Sequence, residues 1–127
     1  MSTNGQSQNA AVWFEIPVRD LKKGSDFYGK ILMADLKTEK TGPNDIALFP
    51  AEKNGVGGHL YENRKAAGGV APLVHLASPS PLEESLGRVN DGGGMVISEI
   101  IPLPDGAGRF AYCTDPDGNQ FGLFTRD

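Results

Sequence analysis

With only one cysteine in 127 residues, Cys113, the chain has no partner for an intramolecular disulfide. A chain with no such bridge reads as the product of a reducing compartment. Cys113 lies inside an apolar run, where a thiol behaves as a small buried hydrophobe rather than a nucleophile. No apolar run approaches the roughly 20 residues needed to cross a bilayer. The opening MSTNGQSQNA has neither a charged nor an apolar segment of the kind that directs export. These absences predict a soluble, cytoplasmic protein with no membrane partner and a flexible tail over residues 1–10. There is no excess of positive charge either: 12 basic against 16 acidic residues give a formal charge of -4, spread evenly along the chain. No basic stripe exists to neutralise a phosphate backbone, so nucleic acid is not an expected partner. Histidine is scarce too, and any imidazole chemistry must use His59 or His75.

What is present suffices for one domain. A 39% hydrophobic content over this length can build a core without disulfides or a structural metal. Residues 12–18 alternate with period two, which predicts a strand. Asp20 then caps a helix carrying Leu21, Tyr28, Ile31 and Leu32 at roughly helical spacing. Strands follow near 34–40, 45–49 and 56–62, separated by Thr-Gly-Pro-Asn and Glu-Lys-Asn-Gly turns. After a polar, Gly-rich linker over 63–70 the order recurs. A strand spans 72–78, and Ser80-Pro81-Leu82-Glu83 opens a helix with a capping box. Leu82, Leu86 and Val89 form that helix's stripe, and the glycines at 92–94 stop it. Strands near 95–101, 109–114 and 119–125 complete the chain. The expected fold class is therefore α+β, one domain over 11–126 in two βαβββ modules, 11–62 and 71–126. The wording of the two module ends supports a duplication, with Asn54-Gly55 matching Asp117-Gly118 and Leu60 matching Leu123.

Alternation also sorts the side chains. Trp13, Glu15 and Pro17 share a face with Gly57, His59 and Tyr61, and in the second module Leu73, His75 and Ala77 share one with Gln120, Gly122 and Phe124. The opposite face, with Phe14, Ile16, Leu60, Val74, Leu76, Phe121 and Leu123, is apolar and is expected to pack under the helices. Both histidines thus fall on the inner face, as does Glu15. The glycines at 55, 57 and 58 are not a phosphate loop, because no Lys-Ser/Thr follows and the next element is a strand. They read instead as a place where the sheet bends.

The stretch Phe14-Glu15-Ile16-Pro17-Val18-Arg19-Asp20-Leu21, then Asp26-Phe27-Tyr28, and the closing Asp115-Pro116-Asp117-Gly118-Asn119 carry a resemblance. In this order, with the paired βαβββ pattern, they resemble the vicinal oxygen chelate superfamily of glyoxalases, bleomycin-resistance proteins and extradiol dioxygenases, including small proteins related to lactoylglutathione lyase. The resemblance implies half-open curved sheets, each with a helix on its outer face, together enclosing a cavity, and it implies a homodimer. It also implies four metal-ligand positions, which fall at Trp13, His59, Leu73 and Gly122. Of these only His59 has a lone pair to offer, so no ion is expected at the customary site. Two functional readings of the inner face stay open beside the bland one, in which Glu15, His59 and His75 merely satisfy one another in a partly wet cleft. In one, Glu15, His59 and His75 hold a divalent ion displaced by roughly 6 to 7 Å along the strands. In the other no cofactor is used: Glu15 and His75 act as the catalytic acid–base pair, and Trp13, His59, Tyr61, Gln120 and Phe124 bind a small organic molecule. The expected function is small-molecule binding, with lyase, isomerase or dioxygenase-type chemistry on one side and non-catalytic drug or metabolite sequestration on the other.

Overall fold

Alternation at the start of the chain becomes β1 (Ala11–Val18) in the computed structural model, which describes residues 9–41, 44–63 and 71–127. Most of the expected tail, the linker from residue 64 and the centre of the Thr41–Asn44 turn lie outside the described residues. Asp20 separates β1 from α1 (Leu21–Leu32). Its backbone is extended and its carboxylate accepts the Lys23 N–H at 2.9 Å, one of the orphan donors of a first helical turn. At the other end Met33 turns left-handed (φ 53°), and the amides of Met33 and Ala34 bond back to the carbonyls of Lys30 and Gly29. A side chain at residue 29 would meet the Ala34 carbonyl oxygen at 2.7 Å, so this return requires glycine. β2 (Lys37–Thr41), β3 (Asn44–Leu48) and β4 (Gly57–Glu62) follow. The first two junctions are antiparallel and β4 runs parallel to β1, giving the order β2-β3-β4-β1.

The pattern then repeats with β5 (Leu73–Ala77), α2 (Leu82–Asp91), β6 (Met95–Val96), β7 (Ile101–Pro102), β8 (Arg109–Thr114) and β9 (Gln120–Thr125). Here β5 is parallel to β9, and the order is β5-β9-β8-β6 with β7 also on β8. The strand expected over 95–101 is split in two. The Ser98 hydroxyl accepts the Tyr112 N–H at 2.8 Å, replacing a ladder bond and letting the chain leave β8 between its two short pairings. The fold is thus α+β, built from two βαβββ modules. By internal contacts the chain divides into a first unit, Trp13–Leu73, and a second, Val74–Asp127 together with Met1–Val12.

The second unit has the better-closed core. Leu82 and Leu86 of α2 bury against Ala111 and Cys113, with Val89, Val96, Ile100, Phe121 and Leu123 packed around them. Burying each such leucine contributes about 1.5 to 3 kcal/mol. Burial pushes the Cys113 thiol up, as fits a core hydrophobe. In the first unit α1 lies over Phe14 and Phe49, with Tyr28 edge-on to Phe49 at 5.6 Å, and Ala47 and Leu60 are sealed.

Two expectations are corrected here, and α1 adds a contrast. The capping box does not form: Pro81 is the N-cap residue and no side chain caps α2. Ser80 donates instead to the Asp127 carboxylate, and Glu83 takes both ends of the Arg109 guanidinium at 2.7 and 3.1 Å. A charge-assisted fork outcompetes a local bond to a neutral amide. The α1 stripe is open, with Ile31 57% and Leu32 54% exposed. Val74 and Leu76, expected beneath a helix, are exposed because α2 packs over β8 and β9.

Candidate functional site

Parallel pairing of β1 with β4 sets Trp13 beside Gly57, Glu15 beside His59 and Pro17 beside Tyr61. Paired residues point to the same side of a sheet, so the inner face inferred from alternation exists within the first unit. Glycine makes room for the rings. A Cβ at residue 57 would lie 3.1 Å from the Trp13 ring, and one at residue 58 would lie 2.6 Å from Phe14 on the other face. The tilted Trp13 ring, 5.9 Å from the imidazole of His59, donates its Nε1–H to His59 Nδ1 at 2.9 Å. Tyr61 follows, edge-on to His59 at 6.1 Å. Burial, and then the nearby Glu15 carboxylate, push the Tyr61 phenol up, while a hydrogen bond from Asn63 pulls it back. Tyr61 therefore keeps its O–H at neutral pH and can donate. All four side chains are half-buried, accessible in part yet fixed by neighbours.

The second unit places His75 differently. It pairs with Gly122 across β5 and β9, and a Cβ at residue 122 would meet its Nδ1 at 2.0 Å. Phe110 and Tyr112 flank the ring at 5.3 and 5.6 Å, leaving His75 4% exposed. Of the expected acid–base pair, Glu15 is half-buried, whereas His75 is walled in by rings. Gln120 is exposed at the start of β9, and Phe124 is half-buried with its ring over Gly108. These two share a strand face with Gly122 and lie in the unit that holds His75.

The residues do not fit a divalent ion at the family's customary positions. Trp13 is a donor, Leu73 is apolar, Gly122 has no side chain, and His59 Nδ1 already accepts the indole proton. Among the described residues no group of three or more His, Cys, Asp or Glu is placed to hold a metal. A shallow groove of about 590 Å³ at the end of α1, lined by Ser25, Gly29, Met33 and Leu36, includes none of the residues expected from sequence. Alternation places Trp13 and His59 on one face but does not imply the bond between them. The signal was there in an aromatic donor two residues before a carboxylate, on the strand that pairs with His59.

No helix among the described residues is long and apolar enough to cross a membrane. Compared with known families, residues 10–123 match the Glyoxalase/Bleomycin resistance protein/Dioxygenase superfamily. A search of curated proteins finds no match. Among solved structures, the chain is similar to methylmalonyl-CoA epimerase from Mycobacterium tuberculosis, at 16% identity over 94% of this chain and 91% of that one, with a TM-score of 0.64. It is similar to a glyoxalase/bleomycin resistance protein/dioxygenase superfamily member from Vibrio splendidus 12B01, at 16% identity over 87% and 94%, TM-score 0.61. A Streptomyces coelicolor methylmalonyl-CoA epimerase in complex with 2-nitronate-propionyl-CoA is similar at 16% identity over 94% and 98%, TM-score 0.62. At these identities the likeness is one of fold.

Proposed function

Because the chain belongs to the Glyoxalase/Bleomycin resistance protein/Dioxygenase superfamily, we propose that it binds a small organic molecule on the inner face of its first unit, against Trp13, Glu15, His59 and Tyr61. The observation that carries this reading is the Trp13–His59 hydrogen bond at 2.9 Å, which joins two of the family's ligand positions to each other. A side-chain pair stands where relatives would place metal ligands, and it offers a flat ring, a donor and a neighbouring carboxylate. Such a part-aromatic surface with a few fixed polar groups suits a small guest. The role is binding or sequestration, and His75 supports the second unit's inner face rather than exchanging protons with a ligand. The protein acts in the cytoplasm as a homodimer, and the exposed apolar residues Phe27, Ile31 and Met33 are the surface that supports pairing.

Trp13 is the single tryptophan, so its emission reports directly on the proposed site. Titration with a panel of small planar compounds should give saturable quenching that survives dialysis against chelator. Glu15→Gln and Tyr61→Phe should each weaken binding about five- to tenfold. A silent panel would reject the reading. So would purified protein carrying about one divalent ion per chain that His59→Ala removes.

A further inference from the structure

Building on the inner-face site proposed above, we infer that Trp13 is a positioning residue: it holds His59 in the tautomer protonated on Nε2, so that His59 meets a ligand only as a donor. The ligand atom recognised there is then an acceptor, a carbonyl oxygen foremost. An indole N–H has no lone pair and can only donate. At 2.9 Å from Trp13 Nε1, His59 Nδ1 must supply the lone pair and cannot carry a proton. A neutral imidazole has one N–H, and the remaining position is Nε2. Whatever that N–H contacts in the free protein, it offers a hydrogen and not a lone pair.

The lock is rigid on the Trp13 side. The ring rests on Gly57, where even a methyl group would lie 3.1 Å from it, and the parallel register fixes Trp13 two residues from the Glu15–His59 pair, on the same face. The groups facing His59 complete a pattern. Tyr61, next on the same side of β4, is a second donor, and Glu15 on β1 is an acceptor. Two donors beside one carboxylate suit a neutral molecule that presents a carbonyl oxygen next to an N–H, such as a lactam or a carboxamide. The oxygen meets His59 and Tyr61, and the N–H meets Glu15. An ammonium ion would find a donor at His59 where it needs an acceptor.

The tautomer is measured on the intact chain by long-range ¹H–¹⁵N NMR of the imidazoles at slightly alkaline pH. The wild-type protein should show His59 protonated on Nε2 alone. Trp13→Phe, which keeps a ring over Gly57 but has no N–H, should show a mixture of both forms. On the same samples 2-pyrrolidone, a lactam, should shift the His59 Nε2 signal and bind at least about tenfold better than pyrrolidinium. His59→Gln, which keeps a donor, should retain lactam binding within about threefold, and His59→Phe should lose it about tenfold. A proton on Nδ1 in the wild type, an unchanged tautomer in Trp13→Phe, or preference for pyrrolidinium would each overturn the inference. A locked tautomer with no response to either probe overturns the ligand class and the inner-face reading together, while the role of Trp13 toward His59 stands.

Discussion

The two helices begin from the same kind of amphipathic pattern and end differently. α2 sends Leu82 and Leu86 into a closed cluster and is tied down by the Arg109–Glu83 fork. α1 has no buried residue, leaves Phe27 58% and Ile31 57% exposed, and is held by its Asp20 cap and a bond from the Leu21 amide to Glu62. A stripe in a sequence states that a helix has an apolar side; it does not state what covers that side. Leu82→Ala, which removes a side chain with no exposure, should cost about 2 to 5 kcal/mol in chemical denaturation. Ile31→Ala should change the same measurement by no more than about 0.5 kcal/mol at a concentration where the protein is monomeric. Equal losses would mean that α1 is packed as tightly as α2, and the contrast between the units would fail.

Inside the sheets the units are alike, since each seats a ring on a glycine: Phe14 on Gly58 in one, His75 on Gly122 in the other. Gly122→Ala puts a methyl group where Nδ1 of His75 stands, and overpacking of this kind costs about 1 to 3 kcal/mol. The companion variant Gly58→Ala should cost a similar amount. Because the contact is direct, Gly122→Ala combined with His75→Ala should lose less than the two single changes added together, with a coupling of about 0.5 to 3 kcal/mol. Strict additivity would show that the ring is not seated on the glycine.

Much of this is legible in the sequence. Period-two alternation assigned the faces of β1 and β4 correctly because their register is parallel and in phase, Glu15 with His59 and Ile16 with Leu60. Glu15 and His75 occupy matching register positions in their units, each one residue before the residue that pairs with Leu60 or Leu123. The lost capping box and the split strand share a cause, which is that a distant residue won over a near one. Glu83 reads as a capping-box partner over three residues, but Arg109 is 26 residues away with a full charge. Ser98 interrupts a strand because its hydroxyl reaches Tyr112, 14 residues on. The Trp13–His59 bond spans 46 residues and depends on which way an imidazole turns, a choice that alternation does not encode.

The smallest expected effect concerns what fastens α2. Arg109's hydrogen bonds hold the Glu83 carboxyl far down, from 4.5 to about 2. A carboxyl depressed on folding contributes stability that is complete above its unfolded pKa and is lost as pH falls through the folded one. The fork's contribution is thus present at neutral pH and fades between 4.5 and about 2. Asp127, lowered by its bond from Ser80, leans in the same direction. Both groups are solvent-facing, so screening keeps the effect modest. Thermal midpoints of wild type and Glu83→Gln measured across that window should differ slightly at neutral pH and converge toward pH 2. Curves that run parallel to the acid end would show that Glu83 is not what Arg109 holds in solution, and α2 would then owe its closure to Leu82 and Leu86 alone.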